Sequence, residues 1–226
     1  MHLRGVDVTS KGEAEWVRAP RQARSQETLE RFLAATQQLL EERPFDEITV
    51  ADIVGRADRT VGSFYARFDD KYAVLYELVQ SVFSRVNDVV RAFCDPVRWD
   101  GQPISEFVHE SVRINVDAYR RAGPLFRAAF GAAMIDERFR DLRVDVMRFC
   151  AEQQKAFLLA RADELGCADP ARASDQMFEI VAATLDHELM FGRFTTTSPS
   201  NDVELVAELT GQCLQVLGLP PTAEST

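Results

Sequence analysis

Four cysteines in 226 residues, at positions 94, 150, 167 and 213, are too few and too scattered to make a disulfide framework. None forms a C-x-x-C pair and no histidine stands near one at metal-ligand spacing, so the thiols read as reduced, buried, small hydrophobes. No apolar run approaches the length a bilayer demands, and the first twenty residues lack a signal-peptide core; a cytoplasmic address and no membrane partner are expected. Also missing are a glycine-rich phosphate loop, a nucleophile elbow and a zinc-protease motif. Catalytic residues, a bound metal and a cofactor are therefore not expected. A basic surplus is lacking as well: the formal net charge is −10, divided as −2 over residues 1–75 and −8 over 76–226. Any nucleic-acid contact must rest on a few placed groups rather than on bulk field.

What is present is helical periodicity, with no convincing alternating strand pattern, and the expectation is an all-α chain of about nine helices. Residues 1–20 read as a flexible arm ending at Pro20. Leu29, Phe32, Leu33, Thr36, Leu39 and Leu40 form one face of a first helix that ends before Pro44. Two short helices follow, then a long one carrying Leu75, Leu78, Val79, Val82, Val86, Val89, Val90 and Phe93. Pro96 and Gly101 mark a loop, Pro103 suits a helix start, and Gly123-Pro124 is expected to break the next helix in two. Phe139 to Phe157 line another helix that stops around Gly166. A further one opens at Asp169-Pro170 and runs to about Phe194, and the last spans Asp202 to Leu217, closed by Gly218. The expected division is an arm over 1–20, a helix-turn-helix domain over 21–72, a larger domain over 73–219 and a tail over 220–226.

The stretch Thr49 to Lys71 carries the sharpest signal. Thr49 with Asp52 three residues on is a capping-box start for Val50, Ile53, Val54 and Ala57. Thr60 can cap a second short helix in which Phe64 and Phe68 share the buried face. The other face is Val61, Ser63, Tyr65 and Ala66, with Arg67 at its edge: small or flat side chains that let a helix approach base edges. The DNA-contacting candidates are Arg24, Thr49, Arg59, Thr60, Val61, Ser63, Tyr65, Arg67 and Lys71, with Arg21 and Arg56 in reserve. Of these, Tyr65 and Lys71 are the expected phosphate contacts.

The run Thr60, Val61-Gly62-Ser63-Phe64-Tyr65-Ala66-Arg67-Phe68, Asp69-Asp70, Lys71 resembles the DNA-binding segment of the tetracycline-repressor-like family of bacterial transcription regulators. It departs from the pattern at Asp58, where the turn usually has Gly, and at Val61, where a basic residue is common. Asp tolerates positive φ, so the turn can survive. The resemblance implies a three-helix N-terminal unit followed by six further helices. It also implies double-stranded operator DNA as partner, a small-molecule effector held in a cavity of the C-terminal part, and a homodimer formed by the last two helices. The expected function is a repressor released from a palindromic operator by a small apolar or amphiphilic ligand.

Most of the fifteen phenylalanines lie in the second part. Singly each is best read as core; together they suit an aromatic-lined site, with Phe107, Phe126, Phe130, Phe149 and Phe157 as lining candidates. His109, Asn115, Tyr119, Gln153 and His187 are the polar candidates beside them. Met177, Val181, Leu185 and Leu189 on one helix, with Val206, Leu209 and Cys213 on the next, are the expected dimer face. Two alternatives stand against this reading. Glu106 and His109 form a single Glu-x-x-His, half of what a helical-bundle metalloenzyme needs, with no second copy. A protein-binding adaptor is the other, disfavoured by the groove-compatible surface around Tyr65.

Overall fold

A computed structural model describes residues 23–193 and 199–220; the expected arm, Arg21 and the tail beyond Pro220 lie outside it, and of Arg24 only the backbone is described. The described residues contain no strand. They form eight α-helices: α1 (Ala23–Glu42), α2 (Val50–Arg56), α3 (Val61–Tyr65), α4 (Lys71–Phe93), α5 (Ile104–Ala133), α6 (Glu137–Leu159), α7 (Pro170–Phe191) and α8 (Asp202–Val216). The chain divides into two compact units between Val79 and Gln80, inside α4.

In the N-terminal unit α1 buries Leu29, Phe32, Ala35, Leu39 and Leu40, and its one buried hydroxyl is satisfied locally, Thr36 Oγ1 donating to the Phe32 carbonyl at 2.8 Å. Pro44 starts a single 3-10 turn, Phe45–Glu47, whose Phe45 is buried. The expected capping box then appears in full: Thr49 Oγ1 accepts from the Asp52 amide, and the Asp52 carboxylate accepts from the Thr49 amide. Asp58 is the chain's one described non-glycine residue at positive φ, 52°, so the turn before α3 survives without Gly as anticipated. Phe64 and Phe68 are fully buried, with the Phe32 ring set edge-on to both at 5.4 and 5.9 Å.

In the C-terminal unit α5 packs on α6, α7 and α8. Its core begins with an aromatic knot: Phe93, Trp99, Phe107 and Phe157, the last two stacked at 4.1 Å, with Trp99 Nε1 donating to the Phe93 carbonyl. Gly123-Pro124 does not break α5, which is why eight helices stand where nine were expected. Proline expels its predecessor from helical geometry by a clash with that residue's Cβ, and Gly123 has none. A Cβ on Gly123 would stand in ordinary van der Waals contact with α7, 3.4 Å from Leu189 Cδ1.

The end of α8 is a Schellman motif, with Leu219 N–H donating to Leu214 and Gly218 N–H to Gln215 while Gly218 takes φ 72°. Gly218 also meets Gly166 backbone to backbone, so close that a Cβ on Gly166 would fall 2.3 Å from the Gly218 oxygen. The helix expected to reach Gly166 instead ends at Leu159, and the last turn before Gly166 is a 3-10 turn, Ala162–Glu164.

Candidate functional site

The second helix of the helix-turn-helix is held by its own sequence. Thr60 accepts from the Ser63 amide through Oγ1, Ser63 Oγ donates back to the Thr60 carbonyl at 2.7 Å, and Phe64 anchors the inner face. Outward it presents Thr60, Gly62 and Ala66, with Val61 and Tyr65 each 49% exposed, one turn apart. Val61 and Tyr65 are thus the large side chains of α3 open to a partner. Ser63 is half-buried and Thr49 exposed beside the α2 N-terminus.

The cations around this face are largely spent inside the unit. Arg56 makes a two-pronged pair with Glu42, Arg43 pairs with Asp52, and Arg59 reaches Glu27 at 3.4 Å while donating to the Asp58 carbonyl. Arg67, read from sequence as an edge contact, is only 7% exposed. The chain turns inward after α3 to bury Phe68 and takes Arg67 with it, toward Glu77, whose carboxyl is pushed up by its own burial and drawn back by Arg67. Lys71 is also redirected: its ammonium donates to the carbonyls of Phe45, Asp46 and Ile48 at 2.9–3.1 Å and lies 4.7 Å over the Phe45 ring. An ammonium has three protons, and these three acceptors use them all. Lys71 therefore ties the start of α4 to the turn between α1 and α2.

The C-terminal unit encloses a cavity of about 310 Å³ between α4, α5, α6 and α7. Of the aromatic candidates Phe126 and Phe130 line it, together with Tyr119; Phe107 and Phe157 belong to the knot instead, and Phe149 lies under the Arg91 guanidinium. His109 and Gln153 are not on its wall, and His187 is exposed, its ring 5.5 Å from Phe191. Gln154 takes the place assigned to Gln153: it follows Val146 and Cys150 at the helical period, and its Oε1 accepts from Ser111 Oγ at 3.2 Å, both residues buried. Asn115, whose amide donates to the Ser111 carbonyl, also lines the wall. Among the wall residues that the sequence did not single out are Ser111, Gln154 and the three arginines Arg85, Arg121 and Arg143. Tyr119 donates its hydroxyl to Asp186 at 2.6 Å, and Arg143 pairs with the other oxygen of that carboxylate. Cys150 on the wall has its thiol pushed up to about 11 by burial, so it is an apolar surface rather than a nucleophile.

The expected dimer face is corrected by burial. Met177, Val181, Leu185, Val206, Leu209 and Cys213 are all under 9% exposed in a single chain, and Leu189 packs against the same core. Wide apolar faces on α7 and α8 are consumed by α5 and by each other. The surfaces left open are Ala183, His187, Met190 and Phe191 on α7, with Val203 and Ala207 on α8. Among the described residues no three metal-ligating side chains gather, Glu106 and His109 included, and no helix is long and apolar enough to cross a membrane.

An exposed short helix set on a three-helix unit is a helix-turn-helix arrangement, here followed in the chain by a larger all-α bundle. Residues 32–78 match the family model of the bacterial regulatory proteins, tetR family. No curated protein sequence matches the chain. Solved structures of similar fold include a Mesorhizobium loti protein assigned to the TetR-family transcriptional regulators (TM-score 0.69, 15% identity, covering 88% of this chain and 100% of that one). GusR of Salmonella enterica follows at TM-score 0.60 and 15% identity, covering 88% and 99%. RolR, solved in complex with resorcinol, matches at TM-score 0.54 and 20% identity, covering 87% and 90%.

Proposed function

We propose that the chain is a homodimeric repressor whose α3 enters the major groove of a palindromic operator and whose C-terminal cavity binds a small molecule that releases the DNA. The observation that carries the reading is the pairing, within one chain, of an outward-facing Val61 and Tyr65 with an enclosed, mostly apolar cavity. Val61 suits a thymine methyl, Tyr65 a phosphate, and the amides at the α2 and α3 N-termini further phosphate oxygens. Arg59 joins them by exchanging Glu27 for a phosphate; Arg67 and Lys71 support the helix from behind.

The cavity volume lies at the small end of ligand pockets, roughly 300–1,000 Å³, and the binding of resorcinol by a protein of like fold supports a small aromatic effector. Dimerisation uses the open faces of α7 and α8, where Ala183 and Ala207 allow close helix approach. Coupling runs along α4, which begins at Lys71 in the reading unit and contributes Val82 to Phe93 to the cavity wall. A ligand that binds the non-operator shape more tightly shifts that helix, and by reciprocity operator DNA weakens the ligand by the same factor. Genomic fragment selection with the purified protein, followed by titration of bound operator with cavity ligands, tests the reading. An inverted-repeat motif whose complex dissociates on ligand addition is expected, and the lack of any enriched motif refutes it.

A further inference from the structure

We infer that the effector is a monoanionic amphiphile, a small apolar or aromatic body ending in one carboxylate that Arg85 and Arg121 receive at the rim of the cavity. This rests on the ligand-responsive reading above and narrows it. The sign of the wall charge carries the argument. Acidic residues outnumber Lys and Arg by 36 to 26 in the chain, yet every charged side chain lining the cavity is an arginine: Arg85 from α4, Arg121 from α5 and Arg143 from α6.

These three cations differ in what they have left to give. Arg143 is neutralised by Asp186, which also holds the Tyr119 hydroxyl, and its guanidinium lies 4.2 Å over the Phe130 ring. Arg85 and Arg121 are exposed, and among the described residues neither has an ion-pair or hydrogen-bond partner. They lie toward one end of the cavity. Helices α4 and α5 run in opposite senses, Phe93 meeting Phe107 at 5.0 Å and Phe83 meeting Phe126 at 6.3 Å, which puts Arg85 and Arg121 at the Phe83 and Phe126 end. The neutral Ser111 and Gln154 pair belongs to the other.

A carboxylate driven into the apolar interior alone would lose its hydration without return. Held at the rim by two partly hydrated guanidinium groups, it gains charge-assisted, two-pronged hydrogen bonds without full desolvation of either partner. The body of the ligand then lies between valines 86, 90 and 112 and Met177. A cation would be repelled there, and a neutral ligand would leave both arginines unused.

Calorimetric titration of the full chain with matched probes tests this: 2-naphthoate against 2-naphthol, and decanoate against decanol. Each carboxylate is expected to bind roughly tenfold or more tightly than its alcohol, with a preference that shrinks as salt rises. The double variant Arg85→Gln, Arg121→Gln, at exposed positions and checked for unchanged circular dichroism, should lose the preference and bind the alcohols as before. Equal binding of acids and alcohols, no binding by any of the four, or a preference that survives the double substitution overturns the assignment. Operator affinity is read separately. Carboxylates that bind through Arg85 and Arg121 but leave operator affinity unchanged refute the ligand-responsive reading and uphold the cavity assignment.

Discussion

In the N-terminal unit the side chains offered to a partner stand on the outside of a five-residue helix, whereas in the C-terminal unit they face inward from four helices. The first arrangement is local. Caps at Thr49 and Thr60, a positive φ at Asp58 and an i, i+4 pair of phenylalanines fix which residues of α3 look out, all within twenty residues. The second is assembled from residues 82 to 182, and which turn of each helix reaches the cavity depends on how the helices cross. A surface site can thus be specified by short-range rules, while an enclosed one requires the packing to be known.

Substitutions inside each unit carry the largest expected effects. Phe64→Ala and Phe107→Ala each remove a fully buried ring and should cost about 3–5 kcal/mol. Because the rings lie in separate units, each loss is expected to appear in its own part of the amide hydrogen-exchange map. By contrast Phe126→Ala, on the cavity wall, should alter ligand affinity more than melting temperature, and a melting loss equal to that of Phe107→Ala would return Phe126 to the core.

A smaller effect separates reading residues from supporting ones. Tyr65→Ala should weaken operator binding by about 1–3 kcal/mol with no change in stability. Lys71→Met should do the reverse in kind, costing about 2 kcal/mol of stability through three orphaned carbonyls while leaving the salt slope of the remaining operator binding unchanged. Anisotropy titrations at several salt concentrations, paired with thermal melts, decide between them; a salt slope that falls by about one phosphate in Lys71→Met would restore its role as a DNA contact.

The smallest expected effect concerns the α2 cap. The Asp52 carboxyl is held at about 2, below its usual 3.8, first by the Thr49 hydroxyl, then by the Thr49 amide and by Arg43. A lowered value in the folded state means the unfolded chain takes up the proton first as pH falls. The contribution is therefore complete above about pH 4 and lost toward pH 2. Melting temperatures across that window should fall less steeply for Asp52→Asn than for the native chain, and parallel curves would show the cap to be electrostatically idle.

Legibility followed the same division. The α2 and α3 boundaries, both caps and the outward pair Val61 and Tyr65 were readable because each depends on neighbours within four residues. Arg67 and Lys71 were misplaced because their partners, Glu77 and the 45–48 turn, come from other elements, and a cation beside a DNA-reading helix gives no local sign that it is occupied. In the larger unit Tyr119, Phe126 and Phe130 line the cavity, and the phase of α6 puts Gln154 rather than its neighbour Gln153 on the wall. The buried faces of α7 and α8 were read as an interface because apolar width alone does not say whether α5 or a second chain will cover it. Gly123-Pro124 misled for a related reason: the pair reads as a break unless the missing Cβ is weighed together with the ring.

The inward pairing of the arginines also bears on how the protein finds its site. Across residues 26–79 six Lys and Arg face eleven carboxylates, and four of those cations are already engaged with acids of the same unit in Arg31, Arg43, Arg56 and Arg59. Random DNA holds proteins mainly through displaced counterions, so residues 26–79, with few cations to spare, supply little grip on it. If α3 reads an operator as proposed, residence on a wrong sequence is expected to be short, with dissociation and re-encounter favoured over sliding, and weak, salt-sensitive binding to random duplex is the measurement that checks it.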